Sequence, residues 1–254
     1  MFNLVDLTGK RIVVTGASQG IGQGTAVLLS KLGAKLVLVA RNEEKLKSTM
    51  AMLEGDGHSY NMLDISELDK IDGLVKKIVT EQGTLDGLVY CAGISGNRPL
   101  NMFKPDSVEN MIRINLLGFI EFVRCVTKKK NCNAGGRIVG ISSVAAIDGN
   151  KGQIVYSASK AGMDGAVRSM AKELADKKIC INTVAPGMIN TAMYEGYLRK
   201  VGADGEQNKH LLQRQYLGIG DVDDVASAIA FLMSPAAKFI TGICMPVDGG
   251  STSN

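Results

Sequence analysis

Short runs of β-branched and aliphatic residues alternate with longer stretches of helical period along the whole chain, and each short run ends in a glycine-rich or polar turn. Such an order buries both kinds of element most simply when the strands lie parallel in one sheet and the helices return over both faces. The runs at 11–15, 35–40, 58–61, 87–91, 137–142, 180–184 and 242–247 read as strands, and the stretches near 21–32, 43–53, 66–81, 106–129, 155–175 and 222–233 as helices. Right-handed crossovers then give an α/β fold with a doubly wound, seven-stranded parallel sheet. The 254 residues suit one domain spanning 1–254, and no linker, repeat or low-complexity block divides them. One region breaks the rhythm: 191–220 is long, mixed in polarity and without a strand of its own. Open α/β sheets bind ligands beyond the carboxyl ends of their strands, so this stretch is expected to form a substrate lid, the alternative being a passive surface excursion or an oligomer contact.

Composition excludes several classes of function. With 45% hydrophobic and 21% charged residues the chain belongs to folded proteins rather than disordered or fibrous ones. The net charge of +4 is dispersed, Trp is absent and aromatics are 5%, which argues against nucleic acid as a partner. The longest apolar stretches, 225–233 and 36–40, fall short of the roughly 18 to 20 residues a membrane span needs. Residues 1–10 include Asp6 and no apolar signal region, so a cytoplasmic location is expected. Cys91, Cys125, Cys132, Cys180 and Cys244 are odd in number without a CxxC pair, and His occurs only at 58 and 210; reduced thiols and no metal centre are expected.

The first strand runs into Gly16-Ala-Ser-Gln-Gly20-Ile-Gly22 and then into a helix. Glycine lets the backbone approach a pyrophosphate closely, and a helix N-terminus offers free N–H groups and the positive end of a dipole. The spacing is GxxxGxG, not the commoner GxGxxG, and a merely structural turn is the plain alternative. A second element, Tyr156-Ser-Ala-Ser-Lys160, sets a phenol and an ammonium four residues apart on one helical face. The cation is expected to lower the tyrosine pKa from about 10 toward neutrality, making a usable proton donor or acceptor. Thirteen residues upstream, Ser143 stands at a strand end where its hydroxyl can serve a substrate oxygen, while strand alternation turns Ser142 the other way.

Together, Gly16, Gly20 and Gly22, Asn115 in IRINLLG, Ser143 in GISS, Tyr156 and Lys160 in YSASKAG, and Pro186-Gly187 in INTVAPG resemble the short-chain dehydrogenase/reductase family, over nearly the whole chain. The resemblance implies a Rossmann-type fold with four catalytic residues: Tyr156 exchanges the proton, Ser143 orients the oxygen, Lys160 lowers the tyrosine pKa and holds the nicotinamide ribose, and Asn115 supports a water chain. It also implies cofactor contacts from Gly16, Ser18, Gln19, Gly20, Ile21, Gly22, Arg41, Asp64, Ile65, Ala92, Gly93, Tyr156, Lys160, Pro186, Gly187 and Thr191. Asp64 also reads as a turn or cap residue. Cys91 departs from the family, whose fourth strand usually ends in Asn-Ala-Gly; here it is Cys91-Ala92-Gly93.

Cofactor choice is read at the end of the second strand, where NAD-specific sites carry an acid for the ribose hydroxyls. Ala40 occupies that place and Arg41 follows, which favours the 2′-phosphate of NADPH/NADP+ over NADH, unless Arg41 only caps the strand. Within the family the pattern is most like the enzymes that reduce 3-oxoacyl thioesters on acyl carrier protein. Arg124, Lys128, Lys129, Lys130, Lys177 and Lys178 offer a basic rim for an acidic carrier, or simply complement helix dipoles. Sugars, polyols, steroids and small ketones are the alternative substrates, with pocket residues expected in 95–98, 145–149 and 188–197; a non-catalytic NADP(H) sensor is the alternative outside enzymes. The resemblance further implies a homotetramer, for which Met111, Leu117, Ile120, Met163, Val167 and Met170 are either outward stripes or core.

Overall fold

The computed structural model describes residues 4–202 and 205–253. Seven strands form one sheet: β1 (Arg11–Thr15), β2 (Lys35–Ala40), β3 (Ser59–Met62), β4 (Leu85–Tyr90), β5 (Cys132–Ile141), β6 (Cys180–Pro186) and β7 (Cys244–Val247). Their order is β3-β2-β1-β4-β5-β6-β7 and every pairing is parallel. The order reverses between β1 and β4, the crevice where doubly wound sheets hold ligands.

Side-chain alternation splits the core in two. Val13, Val37, Val39, Leu88 and Ile138 face α3 (Leu68–Gln82), α5 (Gly118–Val126) and α6 (Ile154–Leu174). Ile12, Val14, Leu36, Leu38, Val89 and Val139 face the other way, toward α1 (Gly20–Lys31), α2 (Glu43–Met50) and α9 (Val222–Met233). Strands buried on both faces explain why the sequence shows near-continuous apolar runs there. The structure extends β5 back to Cys132 and starts β7 two residues later than the sequence pattern suggests.

The single helix expected over 106–129 is instead α4 (Pro105–Ile112), a π-helical turn (Arg113–Leu117) and α5. A π-turn frees a carbonyl from its usual partner, and here Tyr90 Oη donates to Ile114 O at 2.5 Å from inside the core. Burial pushes the Tyr90 phenol up, so it remains a donor at all working pH values. Its ring meets Phe119 edge-on at 5.5 Å. Tyr90→Phe therefore keeps the packing and orphans the carbonyl; a loss of about 1–3 kcal/mol in urea unfolding is expected, and unchanged stability would disprove this account of the π-turn.

Of the residues weighed as an outward stripe, Met163, Val167 and Met111 are core, and Ile120 and Met170 pack against it; Leu117 alone among them is exposed. The stretch 191–220 holds two helices, α7 (Ala192–Val201) and α8 (Glu206–Arg214), and its base is closed by an isolated bridge between Ile189 and Gly220. Among the described residues no helix is long and apolar enough to cross a membrane, and no group of His, Cys, Asp and Glu could hold a metal ion.

Candidate active site

The turn between β1 and α1 closes so tightly that glycine is required. A Cβ on Gly22 would stand 2.3 Å from Gly16 O, and one on Gly16, whose φ is +64°, would stand 2.8 Å from Ala92 N in the loop after β4. Ala92 N also donates to Thr15 Oγ1 at 3.2 Å, so β1 and β4 are pinned where they diverge. The N-terminus of α1 has no side-chain cap and no acid in its first turn, leaving the N–H groups of 20–22 and the positive dipole end facing the crevice. Ser18, Gln19 and Ile21 lie in the same turn, and Gln19 Oε1 accepts from Lys45 Nζ at 2.7 Å. Across it stands Thr191, which caps α7 and whose Cγ2 lies 3.7 Å from a Cβ built on Gly20. An uncapped, acid-free helix start behind three glycines fits a pyrophosphate.

At the end of β2, Arg41 Nη1 lies 3.5 Å from Asp64 Oδ2. Asp64 Oδ1 accepts from Ser66 N and Oγ at 2.9 and 2.8 Å. Burial works against that carboxyl's charge, but Ser66 and Arg41 outweigh it and hold Asp64 below the ordinary carboxylate range. Both readings of Asp64 thus coexist, turn residue and wall of a cleft of about 290 Å³ that Arg41 also lines. The Ile65 side chain is packed into the core, so any contact it makes with a nucleotide would come from its backbone.

The four candidate catalytic residues converge at the carboxyl ends of β4 and β5. Ser143 sits in extended backbone just after β5, its Oγ accepting from Ala145 N at 3.1 Å, and it lies near enough to the Tyr156 hydroxyl to favour its ionised form. Lys160, 4% exposed, donates to Ile141 O at 2.6 Å, with Nζ 5.9 Å from the centre of the Tyr156 ring. Asn115, turned inward by the π-turn, accepts from Ile94 N at 2.9 Å and donates to Ile94 O at 2.9 Å and Ser159 Oγ at 3.0 Å. Ser159 in turn donates to Tyr156 O at 2.7 Å, a link the motif reading missed although Ser159 lies inside the motif. Gly93 lies against both groups, a Cβ there being 3.3 Å from Asn115 Oδ1 and 3.4 Å from Lys160 Nζ.

The electrostatics differ from the expectation. Burial pushes the Tyr156 phenol above its ordinary value, only partly offset by Ser143, because Lys160 is engaged by a backbone carbonyl rather than by the phenol. Burial also brings Lys160 down to about 8, with Cys91 and Asp164 acting in the opposite sense. Cys91, in the place usual for asparagine, is a buried thiol pushed up to about 12. The phenol remains a proton donor at neutral pH.

Gln215, beyond the reach of motif reading, anchors the C-terminal end of α8. Its side-chain amide accepts from Met188 N at 2.8 Å and donates to Met188 O at 2.9 Å, beside Pro186 and Gly187. Arg214 pairs with Asp148 in the loop after Ser143. Within α7, Tyr194 stacks on Tyr197 with ring centres 6.2 Å apart. The basic rim lies on the edge of the sheet away from the crevice. Lys128, Lys129 and Lys130 precede β5, and Lys177 and Lys178 precede β6, so all five lie at the amino edge of the sheet, opposite Tyr156. Lys128 also pairs with Asp72, Arg124 pairs with Glu121, and Lys177 donates to Thr127 O.

Glycine turn, reversal point and a phenol–amine pair at one crevice define a dinucleotide-fold oxidoreductase as the class of protein. A family model described as enoyl-(acyl carrier protein) reductase matches residues 16–252, and the chain belongs to the short-chain dehydrogenase/reductase family. It is 38% identical to the 3-oxoacyl-(acyl-carrier-protein) reductase FabG of Rickettsia felis, covering 97% of this chain and 98% of that one. It is 37% identical to carbonyl reductase family member 4 of Danio rerio, covering 94% and 96%. A blue fluorescent protein from a metagenomic library, solved in complex with NADPH, superposes with a TM-score of 0.87 at 29% identity, covering 97% of this chain and 99% of the other.

Proposed function

We propose that this oxidoreductase reduces a 3-oxoacyl thioester, carried on acyl carrier protein, to the 3-hydroxyacyl thioester with NADPH. The observation that carries the chemistry is Ser143 beside the Tyr156 hydroxyl with Lys160 Nζ 5.9 Å from the Tyr156 ring, next to the uncapped start of α1. The substrate class rests on likeness to the Rickettsia felis reductase. The turn at 16–22 and Thr191 would hold the pyrophosphate, Arg41 the 2′-phosphate, and Ala92, Gly93, Pro186 and Gly187 the nicotinamide side. Bound NADPH supplies the two electrons and one hydrogen that reach the carbonyl carbon. Ser143 donates to the carbonyl oxygen, strengthening its bond as negative charge gathers there. Tyr156 releases its proton to the same oxygen, completing the alcohol. Lys160 steadies the resulting tyrosinate, and Asn115 holds the loop after β4 against the helix that carries both. The helices α7 and α8, anchored through Gln215 and Arg214, would act as the substrate lid, and Leu117 on the exposed side of the π-turn is available to a homotetramer contact.

A carrier approaching at the carboxyl edge of the sheet would meet exposed cations that include Arg98 after β4 and Lys151 before α6, joined through Arg98 N to Gly152 O at 2.8 Å. The test is NADPH oxidation with β-keto thioesters on carrier and on a small mimic, alongside sugars and simple ketones. Highest kcat/KM on the carrier thioester is expected, with Arg98→Glu plus Lys151→Glu raising KM for that substrate alone. Preference for a free ketone would point instead to the activity named for the Danio rerio relative.

A further inference from the structure

Asp164 lies one turn beyond Lys160 on α6 and is 7% exposed. The reduction described above does not use it. A carboxylate taken out of water is costly unless donors surround it. Here they come from two strands: Ser142 Oγ, just after β5, donates to Oδ2 at 2.9 Å, and Thr183 Oγ1, in β6, donates to Oδ1 at 2.6 Å. Ser142 is the chain neighbour of Ser143, and its own backbone N–H is fixed on Val184 O at 2.7 Å. The carboxylate thereby joins the helix that carries Tyr156 and Lys160 to the strand end that carries Ser143.

We propose that Asp164 is a positioning residue of this site: through Ser142 it fixes Ser143 against Tyr156, and its negative charge, one helical turn away, favours the ammonium form of Lys160. The proposal rests on the reductase reading given above. The titratable groups facing the pair are Tyr156 on α6 itself, Cys91 after β4 and Cys244 at the start of β7, the last beside Asp164, Ser142 and Thr183. Burial pushes the two thiols up to about 12 and about 11, so both are uncharged at neutral pH. Asp164 is then the anion set against Lys160 among the described residues. A buried polar group shared by two strands and a helix also has little freedom to shift, which suits a device that sets distances.

Asp164→Asn keeps the shape and removes the charge. Losing the anion favours loss of a proton from both Lys160 and Tyr156, and since Lys160, at about 8, is already neutral where the raised phenol titrates, its earlier loss does not reverse the Tyr156 shift. Ultraviolet titration of the protein without nucleotide, taken as the difference from the same protein carrying Tyr156→Phe, isolates the Tyr156 phenol. Its midpoint should move to lower pH by about one unit in Asp164→Asn, and the alkaline limb of kcat should move the same way. Ser142→Ala keeps the charge and cuts the tether; kcat should fall about tenfold with the midpoint in place. If Asp164→Asn does not accumulate as folded protein, Asp164→Ser, which leaves room for water beside Thr183, carries the same measurement. An unmoved midpoint on removing the charge, or full kcat in Ser142→Ala, overturns the proposal. Wild-type protein that reduces no carbonyl with NADPH overturns the reductase reading instead, while the nucleotide-free titration still decides the charge effect of Asp164.

Discussion

Tyr156→Phe lowers kcat for carbonyl reduction at least about 100-fold and leaves the Kd for NADPH unchanged, the magnitude being that usual for loss of a general acid. The substitution removes one oxygen and keeps the ring, so the packing of α6 against the loop after β5 persists. What is lost is the hydroxyl that lies beside Ser143 and near the Lys160 ammonium. Ser143 cannot substitute, because a serine hydroxyl is far too weak an acid to give up its proton to an alkoxide without a base behind it. The proton is needed only as charge develops on the oxygen, so kcat and kcat/KM should fall together while substrate affinity holds. Because burial holds the phenol above its ordinary value, wild-type reduction should keep its donor through neutral pH and decline only on the alkaline side. Steady-state kinetics with fluorescence titration of NADPH checks both halves. Turnover close to wild type would remove Tyr156 from the chemistry.

Those four residues were legible in the sequence because each lies in a local motif whose spacing the fold respects: thirteen residues from Ser143 to Tyr156, four from Tyr156 to Lys160. The doubly wound parallel sheet was legible for a similar reason, since apolar runs separated by helical stretches have few ways to close into one sheet. Other features escaped because their cause is tertiary. The break at 113–117 looks like continuous helix locally, and what makes it affordable is a hydroxyl from β4, more than twenty residues upstream, meeting Ile114 O. Gln215 is an unremarkable glutamine until its amide is seen on Met188. Ile65 reads as a neighbour of Asp64, yet the turn after β3 sends its side chain into the core. The lysine run lies away from the crevice because a crossover helix runs opposite to its strands, so its C-terminal charges arrive at the amino edge of the sheet.

Arg41→Ala weakens NADPH binding by about 10- to 100-fold and leaves NADH nearly as it was, while Ala40→Asp with Arg41→Ala turns the preference toward NADH. The two nucleotides differ by a 2′-phosphate of nearly two negative charges, and a charge-assisted guanidinium contact is worth about 1.5–3 kcal/mol. Arg41 follows β2 directly, and among the described residues it pairs with Asp64, at 3.5 Å, with both side chains well exposed. An exposed pair of that kind is worth about 0–1 kcal/mol, so the guanidinium can turn to a phosphate at small cost. Lys45, drawn to Gln19 Oε1 at the glycine turn, sets a second cation nearby, and Arg41→Ala alone should therefore retain some preference for NADPH. Ala40→Asp acts differently, since a carboxylate there repels the phosphate and accepts from the ribose hydroxyls of NADH. Comparing kcat/KM for both nucleotides across wild type, Arg41→Ala and the double variant separates lost attraction from added repulsion. Wild-type protein that favours NADH, or a preference that ignores both changes, would mean that the end of β2 does not read the phosphate.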